Sequence, residues 1–261
     1  MVLFYAQCNS RAQVIHKQQW VADSRAPREA RTVVAMTIKF ERIGHAPELV
    51  DYRVAWDMQR QVHNDVTEGN SGPVVFLLEH AAVYTAGRRT EPEDLPVDGT
   101  PVIDVDRGGK LTWHGPGQLV GYPIVRLSDM KGIREYVSIL EEALINVAVG
   151  YGIAATRIKG RSGVWVAGTD GGQDRKLAAI GIRVDHGVTM HGFALNCSND
   201  LAPYAQIIPC GITDAGVTSI SLETGTTVTP ADVLDRVEQE LDALLSPIVS
   251  LTATIPEGAR S

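Results

Sequence analysis

Cysteine is scarce. Cys8, Cys197 and Cys210 are the three in a chain of 261 residues. No two of them form a CxxC pair, which argues against a structural zinc site and against a disulfide framework. A reducing, cytoplasmic setting is expected, with no metal and no cofactor. No apolar run approaches the roughly 20 residues of a membrane span. Basic runs are missing too: 24 Lys and Arg are scattered among 31 Asp and Glu, for a net charge of -7. That balance does not advertise nucleic acid. No GxxxxGK[ST] spacing occurs, and no GxGxxG opens a helix, so neither a P-loop nor a dinucleotide fingerprint is present. No internal repeat and no long interior linker divides the chain.

What is present alternates between two periods. "TIKFERI" reads as a strand from Met36, and residues 47–67 carry apolar residues at helical spacing, with Pro47 suited to an early helical position. "PVVFLLEH" (73–80), residues 102–106 and residues 118–125 read as buried strands. Residues 133–151 form a helix with Ile133, Val137, Leu140, Leu144, Val147 and Tyr151 as its apolar stripe, stopped at Gly152. Residues 163–168, 176–184 and 188–196 read as a three-strand run. Its links are the turn 169–174 and a tight hairpin at 185–187. A last helix follows Thr229, with Pro230 first inside it. The order predicts an α+β fold with a mixed or antiparallel sheet and flanking helices. Residues 1–35, including the polar "SRAPREAR", are expected to be a disordered extension or a misassigned start. Residues 36–250 are expected to form one catalytic domain, and 251–261 a C-terminal tail.

Chemistry points first to Cys210, in "IIPCGIT". Pro209 fixes the approach of the chain and Gly211 removes bulk beyond the sulfur. A thiol with a pKa near ~8.5 needs a cation or a base beside it to act as a nucleophile. Lys176, His80, His114 and His191 are the candidates. Three of them have a plainer reading: a solvated strand end for Lys176, a capping histidine for His80 and a hydrogen-bonded core histidine for His191. Cys197 is the second candidate thiol, and Cys8 lies in the extension. The stretch "RGGKLTWHGPGQLVGYP" (107–123) holds five glycines and two prolines. That composition lets something approach the backbone. Gly108 and Gly109 after Arg107 have the look of an anion cradle, but a lone glycine pair names no ligand.

The ordered blocks "LLEHAAVYTAGRRT", "RGGKLTWHGPGQLVGYPI", "RSGVWV", "KLAAIGIRV", "HGFALN" and "IIPCGI" together resemble the lipoyl(octanoyl) transferase family. The likeness runs from about Met36 to the last helix. It departs at Ala81, where the family often has proline. The resemblance implies a fold shared with biotin and lipoate ligases. It also implies transfer of an octanoyl or lipoyl group from acyl carrier protein to a lysine of lipoyl domains. Those domains belong to 2-oxoacid dehydrogenases and the glycine cleavage H protein; no nucleic acid or membrane partner is implied. Cys210 matches the acyl-thioester nucleophile, and Lys176 matches the lysine that lowers its pKa. Arg107, Gly108, Gly109, Lys110, Leu111, Thr112, Trp113 and His114 match a first acyl-binding segment. Ala179, Ile180 and Gly181 match a second, and Gly192, Phe193 and Ala194 a third. His80 and His191 fall in matching motifs as pocket residues. The glycines of 107–123 are then expected to form the wall of an acyl slot shaped by Trp113 and His114, and Arg88, Arg89 and Arg107 a basic patch for docking. An ATP-dependent lipoate or biotin ligase of the same fold is the alternative.

Overall fold

The computed structural model describes residues 32–35, 37–96, 100–128, 132–169, 171–207, 215–249 and 252–255. The strands are β1 (Thr32–Ala35), β2 (Lys39–Gly44), β3 (Val74–Leu78), β4 (Val83–Ala86), β5 (Val102–Asp104), β6 (Leu111–His114) and β7 (Gln118–Ile124). They continue with β8 (Ala155–Ile158), β9 (Arg161–Val166), β10 (Arg175–Asp185), β11 (Val188–Asn196), β12 (Gly216–Val217) and β13 (Thr252–Ile255). The helices are α1 (Tyr52–Glu68), α2 (Ile133–Gly150), α3 (Ile220–Thr224) and α4 (Pro230–Leu245).

One large sheet runs β2-β3-β7-β11-β10-β9-β8, with β12 added on β10. Its β2–β3 and β10–β12 pairs are parallel and the others antiparallel. A small sheet, β5-β4-β6, stands apart from it. This is the expected α+β class with mixed sheets. β1 and β13 pair with each other, just outside the limits of 36 and 250 expected for the domain.

The period of two decides where each layer packs. On β3, Val75 and Leu77 join the core under α2 and α4, while Val74, Phe76 and Leu78 join a second core with Ala55 and Val66 of α1. Helices therefore cover both faces, which explains why "PVVFLL" reads as an unbroken apolar run. The β10–β11 hairpin closes through His186 (φ 49°) and Gly187 (φ 77°), the two left-handed residues of a tight hairpin turn. On α4, Thr229 and Asp232 form a capping box with Pro230 in the first turn.

Three local expectations are corrected. α1 begins at Tyr52, because the Asp51 side chain caps it by accepting from the N–H groups of Arg53 (2.8 Å) and Val54 (3.2 Å); Pro47 lies in the turn before it. Ile133 is exposed, and Tyr136 takes the buried place on α2. Residues 111–114, expected as part of a binding loop, form strand β6.

Candidate active site

Four strands, β6, β7, β10 and β11, and helix α1 meet around a cleft that opens to solvent. Lys110, Thr112 and His114 line it from the β6 segment, Ala179, Ile180 and Gly181 from β10, and His191, Gly192, Phe193 and Ala194 from β11. The second and third expected segments face each other in register, with Gly181 opposite Gly192 and Ile180 opposite Phe193. All three expected segments therefore contribute to one cleft. Within the first, alternation divides the residues. Thr112 and His114 face the cleft, while Leu111 and Trp113 turn away and pack with Tyr84, Tyr204 and Ile207. Trp113 therefore does not shape the cleft as expected.

The glycines are also not all wall. Gly109 lines the cleft, but Gly108 lends its N–H to the Ile182 carbonyl at 2.9 Å and so ties the loop to β10. Gly121 lies under the Phe193 ring, where a Cβ would collide with it. At Gly192 a Cβ would collide with the Gly121 carbonyl. These positions are small because protein approaches them, not because they leave a slot open.

Arg107 is 7% exposed, and its guanidinium is spent inside the protein. Nη1 donates to the Gly108 and Lys110 carbonyls at 3.0 and 2.8 Å, and Nη2 to the carbonyl and hydroxyl of Thr85 at 2.7 and 2.9 Å. It lines the cleft, but it cannot belong to a docking patch as expected. Arg88 and Arg89 are exposed, and their N–H groups bond the Arg107 and Gly109 carbonyls at 3.0 Å each. They sit on the outer side of the cleft loop.

The inner part of the cleft is a cluster of polar rings. Tyr52 and Tyr122 line it, and neither was singled out as a site residue from sequence. Tyr52 reads there as one more apolar position of α1, and Tyr122 lies inside the quoted 107–123 stretch. His80 sits behind them: its Nδ1–H donates to the Val50 carbonyl at 2.9 Å, and its Nε2 accepts from the Tyr122 hydroxyl at 2.8 Å. Burial pushes the His80 pKa down to about 4. His114 is held well below its usual value, first by burial and then by the charges of His80 and Arg107. Burial pushes the Tyr52 hydroxyl up to about 12. His80, His114, Tyr52 and Tyr122 are all neutral at physiological pH.

His191 has a left-handed backbone (φ 58°) within β11, costly for a residue with a Cβ. Its N–H is held by Gln59 Oε1 at 2.9 Å, and its Nε2–H donates to Asp106 at 2.8 Å. The His191 bond, with Arg183 beside it, holds the Asp106 carboxyl far below the usual carboxylate range. A depressed carboxylate stabilises the fold above its unfolded pKa, and that contribution is lost as pH falls through the folded value. Asp106→Asn is expected to lower unfolding free energy by a constant amount at pH 5 to 7, with the gap shrinking below about pH 4. Urea titrations across that range check it; a gap independent of pH would contradict it.

Lys176 is buried, and its Nζ lies 4.7 Å from the centre of the Trp165 ring. This replaces the solvated strand end with a cation held on an aromatic face. Cys210 lies outside the described residues. Its segment leaves from Ile207, packed against Trp113 and Tyr204, and returns at Val217, the register partner of Lys176. Cys197 is fully buried in the core under α2 and α4, and burial pushes its thiol up to about 12, so it is a structural thiol. Among the described residues no cluster of His, Cys, Asp and Glu could hold a metal, and no helix is long and apolar enough to cross a membrane.

Residues 51–242 match the model of the lipoyl protein ligase A/B catalytic domain, and the chain belongs to that family. An octanoyltransferase of Paenarthrobacter aurescens (strain TC1) is 59% identical over 224 residues, covering 86% of this chain and 99% of the relative. One from Renibacterium salmoninarum is 57% identical over 218 residues, covering 84% and 94%. Within its family the chain therefore stands among the octanoyltransferases, acyltransferases of lipoate biosynthesis. The fold is shared with the bi-partite lipoate protein ligase of Thermoplasma acidophilum, at 14% identity and a TM-score of 0.60 over 81% of this chain and 84% of that one. A lipoate-protein ligase A bound with ATP matches at 13% identity and a TM-score of 0.54, over 82% and 86%.

Proposed function

We propose that the cleft holds an octanoyl group and that the enzyme moves it in two steps. Cys210, as thiolate, takes the octanoyl group from the thioester of acyl carrier protein. The acyl-cysteine then gives it to a lysine of a lipoyl domain, as found in 2-oxoacid dehydrogenases and the glycine cleavage H protein. The convergence of the three family segments on one cleft is the observation that carries this reading. Lys176 supplies the cation for the thiolate. Its strand pairs with the returning end of the Cys210 segment, and three residues from Ile207 span at most about 11 Å. The first step exchanges one thioester for another, and the second turns a thioester into a more stable amide with release of the thiol, so no ATP is consumed. Burying the octanoyl chain at ~0.8 kcal/mol per CH₂ contributes roughly 5 to 6 kcal/mol, enough to select chain length.

The polar rings fit this use because they are neutral. A neutral imidazole or phenol beside an alkyl chain costs far less than a charge there. Incubation of the enzyme with octanoyl-carrier protein and a lipoyl domain, without ATP, tests the reading. Octanoyl mass on the lipoyl domain is expected; transfer only with ATP and free octanoate would favour the ligase alternative.

With a net charge of -7, an acidic carrier needs a local basic feature for steering. Arg88 and Arg89 supply it beside the cleft loop. Reversing both to Glu is expected to raise KM for the carrier about tenfold at low salt, with the difference shrinking as salt is added. An unchanged KM would contradict this docking role.

A further inference from the structure

The imidazole of His114 has an orientation fixed from a distance. The Thr218 N–H donates to the Lys176 carbonyl at 2.9 Å. Asn196 Nδ2–H donates to the Thr218 carbonyl at 2.9 Å, which makes Asn196 Oδ1 an acceptor. Gln118 Nε2–H donates to that Oδ1 at 2.9 Å, which makes Gln118 Oε1 an acceptor in turn. His114 Nδ1, 2.9 Å from Oε1, must donate. Every member of the chain is buried. The bonds can run in only one direction, so the ring hydrogen sits on Nδ1 and the lone pair on Nε2. The described partner of Nε2 is the Thr85 hydroxyl at 3.5 Å, the far limit of a hydrogen bond. That hydroxyl accepts from Arg107 at 2.9 Å, which leaves its own hydrogen to reach Nε2 only at this limit, a contact that a closer N–H donor displaces.

We infer that His114 Nε2 accepts a hydrogen bond from the nitrogen that attacks the acyl group, and so positions the acceptor amine. This rests on the proposal that a lysine amine receives the octanoyl group, and adds the residue that orients it. A ring nitrogen with a lone pair cannot pair with a thioester carbonyl, which needs a donor; it pairs with N–H. The hydrogen-bond chain ties this acceptor to Thr218 on the returning segment and to the Lys176 strand that it pairs with. In the transfer step the amine nitrogen bonds the acyl carbon and the C–S bond breaks. One proton of the amine ends on the departing sulfur. His114 holds the other N–H and takes no net proton. Tyr52 stacks on the ring at 5.8 Å and His80 stands at 5.7 Å, with Arg107 and His191 as the further charged or titratable neighbours. Together with burial these neighbours keep the ring unprotonated, and the lone pair available.

The two half-reactions separate the outcomes. In His114→Phe, transfer from pre-formed octanoyl-enzyme to a lipoyl domain is expected to slow by on the order of 10²-fold. Acylation by octanoyl-carrier protein is expected to slow at least tenfold less. Equal losses in both, with the thermal midpoint retained, would overturn the role of His114. An absent octanoyl-enzyme in the wild type would instead overturn the acyl-cysteine reading beneath it. Gln118→Glu supplies a second variant: a carboxylate opposite Nδ1–H favours the protonated ring. The acid limb of the transfer step is then expected to move to higher pH than in the wild type, and superimposable profiles would overturn the inference.

Discussion

Lys176→Met is expected to lower the rate of octanoyl transfer by on the order of 10³-fold, within the range of a lost acid–base partner. Methionine matches the lysine stem in length and keeps the apolar contact with the Trp165 ring. What it removes is the ammonium. A buried cation is not a stabilising feature in itself, so the thermal midpoint should stay level or rise. The pairing of a large kinetic loss with no stability loss separates a catalytic lysine from a structural one. Arginine should not fully rescue the variant: a guanidinium also stacks on an aromatic ring, but its larger, rigid planar fork puts the charge elsewhere than the compact ammonium does. Stopped-time assays with octanoyl-carrier protein, alongside calorimetry, measure both quantities. A loss under tenfold would remove Lys176 from the mechanism.

The second large effect belongs to stability. Arg107→Met is expected to cost about 3 to 5 kcal/mol, the range for breaking a buried, hydrogen-bonded charge. Three backbone carbonyls, of Thr85, Gly108 and Lys110, and the Thr85 hydroxyl each lose a donor at once. Methionine fills part of the volume but satisfies none of them. For a chain of this size the thermal midpoint should fall by roughly 10 °C. The same acceptors hold the loop that carries Gly109 and Lys110 against β10, so binding in the cleft should weaken with it. A midpoint within about 2 °C of the wild type would contradict the structural role given to this guanidinium.

Arg107 also shows where sequence reading runs out. Its motif groups it with residues that line the cleft, but the motif does not say whether its charge faces a partner or the protein. Gly87 and Gly181 decide that, by leaving no room for a Cβ beside the guanidinium, and neither contact is visible in a one-dimensional pattern. The strand run 163–196 is legible because alternation, turn residues and a two-residue hairpin all agree. β6 is not, since glycine and proline flank four residues that follow the strand period only when paired with β4. That hidden alternation is why Trp113 reads as a cleft residue and lies on the opposite side. Tyr52 escapes notice for a related reason. On a helix it fits the apolar stripe of α1, and its place beside His80 and His114 depends on where the helix crosses the sheet.

The proposed transfer turns on an acyl-enzyme at Cys210, with the cleft as the place where its chain rests. Intact mass after exposure to octanoyl-carrier protein, for the wild type and Cys210→Ser, tests this most directly. The wild type is expected to gain one octanoyl group, released by addition of a lipoyl domain, and Cys210→Ser to gain none at the same rate. Octanoyl label on Cys210→Ser at the wild-type level would contradict the account.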